Sequence, residues 1–157
     1  MATDLESNLA LQKLRAFDAA AVEEARLFRD EVTLYISPGH LTRTCEFLRD
    51  EPGLKFKFLA DVTALDLYPQ EPRFEIVYHL LSLETAQRLR LKVRLPGEDP
   101  RIASAVPVWP AANMFECEVF DLFGVVFENH PYLRRIMLPE KWEGHPLRKD
   151  YPTEGYR

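Results

Sequence analysis

The chain has 157 residues, of which 46% are hydrophobic and 29% charged, and this composition is typical of one globular domain with a core. Its formal net charge of −5 argues against a nucleic-acid-binding protein, because such proteins carry an excess of basic residues that neutralise phosphates. No apolar stretch is long enough to span a bilayer, and the N-terminus lacks the pattern of a secretory signal. Two cysteines cannot form a disulfide framework, which fits a reducing cytosol.

The first third of the chain predicts a helix, two strands and a second helix. Leucines at helical spacing over residues 5–14 indicate a short amphipathic helix, and residues 22–28 and 32–36 indicate strands joined by a tight turn at Arg29-Asp30. Ser37 followed by proline predicts the N-cap of a second helix. The apolar face of that helix contains Leu41, Cys45 and Leu48, and Pro52-Gly53 ends it.

The centre of the chain carries the clearest sheet signal. Residues 56–67 predict a third strand, and residues 74–83 are apolar on both alternating sets, which predicts a strand covered on both faces. Residues 88–95 alternate strictly and follow residues 84–87, which can close a hairpin. The polar face of this last strand is basic: Arg88, Arg90, Lys92 and Arg94. That face is either a solvated outer surface or a docking surface for an acidic partner.

The last third predicts one helix and then an extended segment. Phe115, Val119 and Leu122 share one helical face, and the helix should stop at Gly124. From Asn129 onward the chain is rich in proline and charge, without periodicity. We therefore predict an α+β fold in residues 1–128, with a mostly antiparallel or mixed β-sheet and helices packed on one face. An extended C-terminal docking tail, residues 129–157, follows it.

Counting residues excludes several kinds of cofactor site. The six glycines lie at least eleven residues apart, so neither a dinucleotide fingerprint nor a P-loop can form. Two cysteines 72 residues apart cannot hold an iron–sulfur cluster alone.

A metal site is the enzyme hypothesis that remains. Cys117, His130 and His145 lie in the last third of the chain, near several acids, and three ligands with one open position would make a catalytic zinc site. The alternative is that Cys117 packs as a small apolar residue, because no two of these ligands have the close spacing that fixes a site locally.

A long pattern of charged and apolar residues occupies positions 113–151. It contains Glu116, Glu118, Asp121, His130-Pro131, Arg134-Arg135 and, from position 143 to 150, EGHPLRKD. This pattern closely resembles the signature of the thirty-kilodalton subunit, or C subunit, of complex I-type NADH–quinone oxidoreductases. The resemblance extends loosely upstream to about residue 20. Two positions depart from it: Cys117 replaces the usual arginine between the two glutamates, and Tyr132 replaces the usual aspartate after His-Pro.

The resemblance implies a structural subunit in the hydrophilic arm of a proton-translocating enzyme. In such complexes the flavin, the iron–sulfur clusters and the quinone pocket belong to other subunits, so no catalytic, cofactor-binding or metal-binding residue is expected here. The expected partners are the forty-nine-kilodalton subunit and neighbouring cluster-bearing subunits, on the cytoplasmic side of the bacterial inner membrane. An equivalent subunit of a ferredoxin–plastoquinone complex, a reduced-deazaflavin dehydrogenase or a membrane-bound hydrogenase remains an alternative.

The tail and the preceding helix supply the candidate docking residues. Their charges suit charge-assisted contacts, and their apolar side chains suit the centre of an interface. The candidates are Glu116, Glu118, Asp121, His130, Leu133, Arg134, Arg135, Ile136, Trp142, His145, Leu147, Arg148 and Lys149. The alternative, which the sequence leaves open, is that the acids and arginines pair within the chain.

Overall fold

The computed structural model describes residues 4–156, so residues 1–3 of the predicted domain and residue 157 of the predicted tail lie outside the described part. The helices are α1 (Leu9–Phe17), α2 (Leu41–Asp50) and α3 (Ala112–Phe123). The strands are β1 (Val22–Phe28), β2 (Glu31–Ile36), β3 (Phe58–Asp66), β4 (Phe74–Ser82), β5 (Gln87–Leu95), β6 (Arg101–Ala103) and β7 (Val126–Glu128). The predicted helices and the predicted strands β1 to β5 are therefore confirmed to within a few residues.

The main sheet has five strands in the order β1-β2-β5-β4-β3. All neighbours are antiparallel except β2 and β5, so the sheet is mixed. A short parallel pair, β6 with β7, forms a second sheet, and no sequence pattern predicted it. Three-residue strands give too little alternation to be recognised before their partner is known.

The three helices lie on one face of the main sheet, as predicted. The alternating apolar residues of β5, from Leu89 to Leu95, are at most 3% exposed and belong to one continuous core. Leu11 of α1, Leu48 of α2 and Val119 of α3 belong to the same core. Asn8 caps the start of α1 by accepting the Leu11 N–H group at 3.0 Å.

The opposite face of the sheet consists of charged side chains that pair with one another. Lys92 Nζ lies 2.7 Å from Glu75 Oε2, Arg94 Nη2 lies 3.0 Å from Glu24 Oε2, and Arg90 pairs with Glu31. The Arg94 guanidinium also lies 4.0 Å from the centre of the Tyr35 ring. Most of the basic strand face is therefore neutralised inside the chain, which favours a solvated surface over the docking of an acidic partner.

The predicted N-cap at Ser37 is confirmed in position only, because Ser37 precedes a 3₁₀ turn that has Pro38 as its first residue. A 3₁₀ turn over Pro38–His40 separates this residue from α2, and the Ser37 side chain makes no capping hydrogen bond. The proline does start a helical turn, but the α-helix itself begins only at Leu41.

The tail has neither helix nor strand between residues 129 and 156. It nevertheless lies against the end of α3 and against β3, through hydrogen bonds described below. The division into a domain and a separate docking tail stays a prediction. No helix within residues 4–156 combines the length and apolar character needed to cross a membrane.

The turn between β4 and β5 allows a clean test of backbone strain. Ala86 has φ = 56°, in the left-handed region that glycine adopts without steric cost, whereas its neighbour Thr85 is not in that region. We expect Ala86→Gly to raise the free energy of unfolding by about 0.5–1 kcal/mol, and the control Thr85→Gly to leave it unchanged or lower it. Urea denaturation measures both, and equal effects of the two variants would contradict the assignment of strain.

Candidate docking site

The C-terminal end of α3 is capped by the tail. The last carbonyls of an α-helix have no partner inside the helix, so another group must satisfy them when they are buried. The donors here are His145 Nδ1 to the Asp121 carbonyl at 2.8 Å, the Leu147 N–H group to the Leu122 carbonyl at 3.0 Å and Arg148 Nε to the Phe123 carbonyl at 2.6 Å. Three residues of the EGHPLRKD run thus satisfy the last three carbonyls of the helix.

Gly124 makes this close approach possible. It has φ = 74°, and a Cβ atom there would lie 2.5 Å from His145 Cδ2 and 2.7 Å from Arg148 Nη2. Any side chain at this position would therefore push the tail away from the helix end.

The Asp121 carboxylate fixes the middle of the tail. Its Oδ1 atom accepts a hydrogen bond from Arg135 Nη1 at 2.7 Å. Its Oδ2 atom accepts the backbone N–H groups of residues 136, 137 and 138 at 3.0, 2.7 and 2.9 Å. Burial by itself raises the pKa of Asp121, but Arg135 and these N–H groups outweigh it and hold the pKa below its usual value. We call this arrangement the Asp121 anchor.

Arg135 extends the anchor further along the tail. Its Nη2 atom donates to the carbonyls of Trp142 and Gly144, both at 3.0 Å. One guanidinium therefore joins α3 to two later points of the tail, which suits a planar group with several donors.

A second anchor connects the tail to the sheet. Arg73 makes a bidentate contact with Asp66, at 2.8 and 2.9 Å, and its Nη2 atom also lies 2.6 Å from Asp150 Oδ1. The hydrogen bonds from Arg73 lower the pKa of Asp66, although burial opposes this shift. The Lys149 N–H group donates to Asp66 Oδ2 at 2.8 Å.

Glu116 is a buried carboxylate, and within residues 4–156 no lysine or arginine lies within 4.0 Å of it. Its oxygens accept hydrogen bonds from Ser104 Oγ and the Ala105 N–H group, both at 2.6 Å. His130 Nε2 lies 3.9 Å away, but that atom donates to the Asn113 carbonyl while Nδ1 accepts the Tyr132 N–H group, the pattern of a neutral imidazole. Burial raises the pKa of Glu116 to about 7, despite the two hydrogen bonds that lower it.

The candidate zinc ligands do not form a site. Cys117 Sγ lies 3.8 Å from His130 Nε2, but that nitrogen donates to the Asn113 carbonyl at 3.0 Å and so has no lone pair for a metal ion. Within residues 4–156, no group of three or more His, Cys, Asp or Glu side chains could hold a metal ion. Cys117 is buried and lies 3.6 Å from the Tyr132 carbonyl, as a packed thiol would.

The candidate docking residues fall into two groups. Glu116, Asp121, His130, Arg135, His145 and Arg148 use their side chains inside the chain, while Leu133 and Ile136 are half-buried. Glu118, Trp142, Leu147 and Lys149 are exposed, and Arg134 stacks on the Tyr132 ring at 4.6 Å. The geometry thus supports internal pairing for the first group and leaves the second group available to a partner.

The sequence reasoning missed Asp66, Arg73 and Ser104. Asp66 ends a strand and Arg73 precedes one, and the two residues carry no motif at a fixed spacing. Asp150 lies inside the signature, but the sequence offered no partner for this acid. That unpaired acid was the one sign of a second anchor that the sequence contained.

Comparison with known proteins gives a consistent result. The sequence model of the family described as "Respiratory-chain NADH dehydrogenase, 30 Kd subunit" matches residues 34–157. The C subunit of the NADH-quinone oxidoreductase of Roseiflexus sp. (strain RS-1) is 43% identical over 148 residues, which cover 94% of this chain and 85% of that protein. The corresponding C subunit of Geobacter sulfurreducens is 46% identical over 151 residues, which cover 96% and 92%.

Solved structures share the fold. The trypsin-resistant fragment (1-134) of Nqo5 superposes with a TM-score of 0.66 at 31% identity, covering 80% of this chain and 100% of the fragment. A chain of the archaeal membrane-bound sulfane sulfur reductase superposes with a TM-score of 0.75 at 24% identity, covering 91% and 84%.

The Asp121 anchor should dominate the stability of the tail. Asp121→Asn removes a fully buried charge and leaves Arg135 unpaired, so we expect a loss of about 3 kcal/mol in the free energy of unfolding. The control Asp150→Asn alters a carboxylate that is 45% exposed, and should cost below about 1 kcal/mol. Urea denaturation gives both values, and hydrogen exchange should show faster exchange at residues 136–138 in Asp121→Asn only. Equal losses in the two variants would contradict this hierarchy.

Glu116 should make stability depend on pH. Its pKa is about 7 in the folded chain and has an ordinary value of 4.5, so the folded state binds the proton more tightly. The stability from this group is full below pH 4.5 and falls as the pH rises through 7. The unfolding free energy of the wild type minus that of Glu116→Gln should decrease by roughly 3 kcal/mol between pH 4 and pH 8. A difference that stays constant over this range would refute the raised pKa.

Proposed function

Because the chain belongs to the family of the 30 kDa subunit of respiratory-chain NADH dehydrogenase, we propose that it is the structural thirty-kilodalton-type subunit of a proton-translocating NADH–quinone oxidoreductase. In this proposal it carries no cofactor and braces the quinone-reducing module of the hydrophilic arm. It lies on the cytoplasmic side of the bacterial inner membrane and reaches the membrane only through the complex. Electron transfer from NADH to quinone takes place in its partners.

This proposal rests on the observation that the charged residues of the signature form contacts within the chain. The ionisable side chains of Asp121 and Arg135 hold two parts of the chain together, because Asp121 on α3 accepts hydrogen bonds from Arg135 and from the backbone of the tail. Charged groups that act on a substrate need an open position beside them, and the Asp121 carboxylate has four donors and no exposure. A scaffold function accounts for such a cluster, and an active site does not.

Docking to the forty-nine-kilodalton subunit uses side chains of α3 and the tail that take no part in the two anchors. Glu118 on α3 and Arg134 on the tail supply opposite charges, and Trp142 and Leu147, 41% and 51% exposed, supply apolar contact. A permanent interface of this kind buries on the order of 2,000 Å² or more.

An equivalent subunit of a related membrane complex is the second candidate. A chain of the archaeal sulfane sulfur reductase has the same fold over nine-tenths of this chain, so the fold also occurs in a related membrane complex. The curated relatives favour the NADH-linked enzyme by their names. Mass spectrometry of the native complex separates the two candidates: a flavin-bearing NADH-oxidising subunit in the same particle supports the first, and its absence supports the second.

Substitution of two adjacent arginines, Arg134 and Arg135, distinguishes a role in docking from a role in folding. Arg134→Ala should leave the melting temperature of the free chain unchanged but lower its affinity for the forty-nine-kilodalton subunit roughly ten-fold, a loss of about 1.4 kcal/mol. Arg135→Ala should instead destabilise the free chain by about 3 kcal/mol, because Asp121 stays buried without its cation.

The measurement pairs a thermal melt of each purified variant with a native gel of membrane extract. Arg15→Ala, an exposed arginine of α1, is the matched control and should change neither readout. Normal assembly of the Arg134→Ala variant would remove this residue from the interface.

A further inference from the structure

The tail folds around a cleft of about 350 Å³ that the anchors do not fill. Three aromatic side chains line it: Trp142, Tyr151 and Tyr156. The carboxylate residues Glu143 and Glu154 line it as well, together with Lys141 and Gly155. Aromatic rings beside carboxylates, in a cleft open to solvent, form an environment that favours a cation.

Gly144 positions two of the rings. It has φ = 76°, and a Cβ atom there would lie 2.7 Å from Tyr156 Cε2 and 2.9 Å from Tyr151 Cε2. Both rings therefore pack directly on the glycine backbone. They meet edge to face, with 5.3 Å between their centres and 85° between their planes. The walls of the cleft are thus set by close packing and a fixed turn.

The Asp121 anchor holds the cleft in place. Arg135 Nη2 donates to the carbonyls of Trp142 and Gly144, so the same guanidinium that pairs with Asp121 fixes one wall of the cleft. The Tyr151 hydroxyl lies 3.5 Å from the Glu143 carbonyl and joins the opposite wall to the first. A site organised before binding loses little conformational entropy when its ligand arrives.

The charges of the cleft remain available to a ligand. Among residues 4–156, neither Glu143 nor Glu154 has an ion-pair partner within 4.0 Å. In the part of the chain that the structure describes, Lys141 is the one cation that lines the cleft, so this described lining carries a net charge of −1 from two acids and one base. An acidic ligand would be repelled, and a neutral apolar ligand would leave both carboxylates without a partner.

We propose that this cleft receives an arginine side chain of a neighbouring subunit in the assembled complex, an inference that rests on the proposed scaffold function. The guanidinium is planar, so it stacks on an aromatic ring while its edges donate to carboxylates. An ammonium group is a compact point charge and uses the flat rings less fully. The continuity of the cleft with Trp142 makes it part of the surface that faces the partner.

The first test identifies the occupant in the native complex. Tyr156, which is 58% exposed, is replaced by a photoreactive aromatic amino acid, Tyr156→p-benzoylphenylalanine, and the membrane-extracted complex is irradiated. Mass spectrometry of the cross-linked peptide should find a segment of another subunit that contains an arginine at or beside the linked residue. A linked segment without arginine, a lipid adduct, or no adduct at all would overturn the proposal.

The second test alters only charge. The double variant Glu143→Gln, Glu154→Gln keeps the shape of the cleft and should lower the affinity of the chain for the rest of the complex about ten-fold, with an unchanged melting temperature. The matched control Lys141→Gln removes the competing cation and should keep or increase that affinity. Unchanged affinity in the double variant, or an equal loss in the control, would overturn the proposal.

The two tests separate this inference from the proposed function. If the wild-type chain co-purifies with the other subunits but the cleft variants behave normally and no arginine is linked, only the cleft proposal fails. If the wild-type chain does not co-purify with an NADH–quinone oxidoreductase at all, the scaffold function fails and the cleft proposal fails with it.

Discussion

The buried carboxylate of Asp121 is the interaction on which the C-terminal part of the structure depends. Burying an ionised group is costly unless its oxygens are fully hydrogen-bonded. Here one guanidinium and three successive backbone N–H groups donate to it. These four hydrogen bonds together define the path of the tail backbone past Asp121. Arg135 then extends the same constraint to Trp142 and Gly144. The end of α3, the tail and the aromatic cleft are therefore one connected unit.

Most of the charges in this protein act within the chain. The outer face of the sheet joins β1, β2, β4 and β5 through pairs such as Lys92 with Glu75, and the second anchor joins the sheet to the tail through Arg73. Partly buried ion pairs add little net stability compared with apolar packing, but they penalise wrong arrangements, because a misplaced charge stays unpaired. In a tail without helix or strand, this specificity replaces the register that regular hydrogen bonding provides elsewhere.

A scaffold protein benefits from such a prearranged surface. If the tail were free, its ordering would oppose association by the conformational entropy of each fixed residue. Because the anchors fix the tail, Arg134 and Leu147 keep set positions relative to Glu118 on α3. The packing of Tyr151 and Tyr156 on Gly144 and on each other likewise gives the aromatic walls of the cleft a set position. Assembly then depends on the fit between two preformed surfaces, because the tail does not have to fold during association.

The sequence by itself determined the regular part of the fold, because alternation and helical spacing are local properties. Strands β1 to β5, the end of α3 at Gly124, and the family signature of residues 113–151 could all be read from it. It did not determine which signature residues face inward. Asp121 and Glu118 are equally acidic neighbours on one helix, and only the path of the tail buries the first and exposes the second. The Asp66–Arg73–Asp150 contact joins residues up to 84 positions apart, so only the tertiary structure could bring them together.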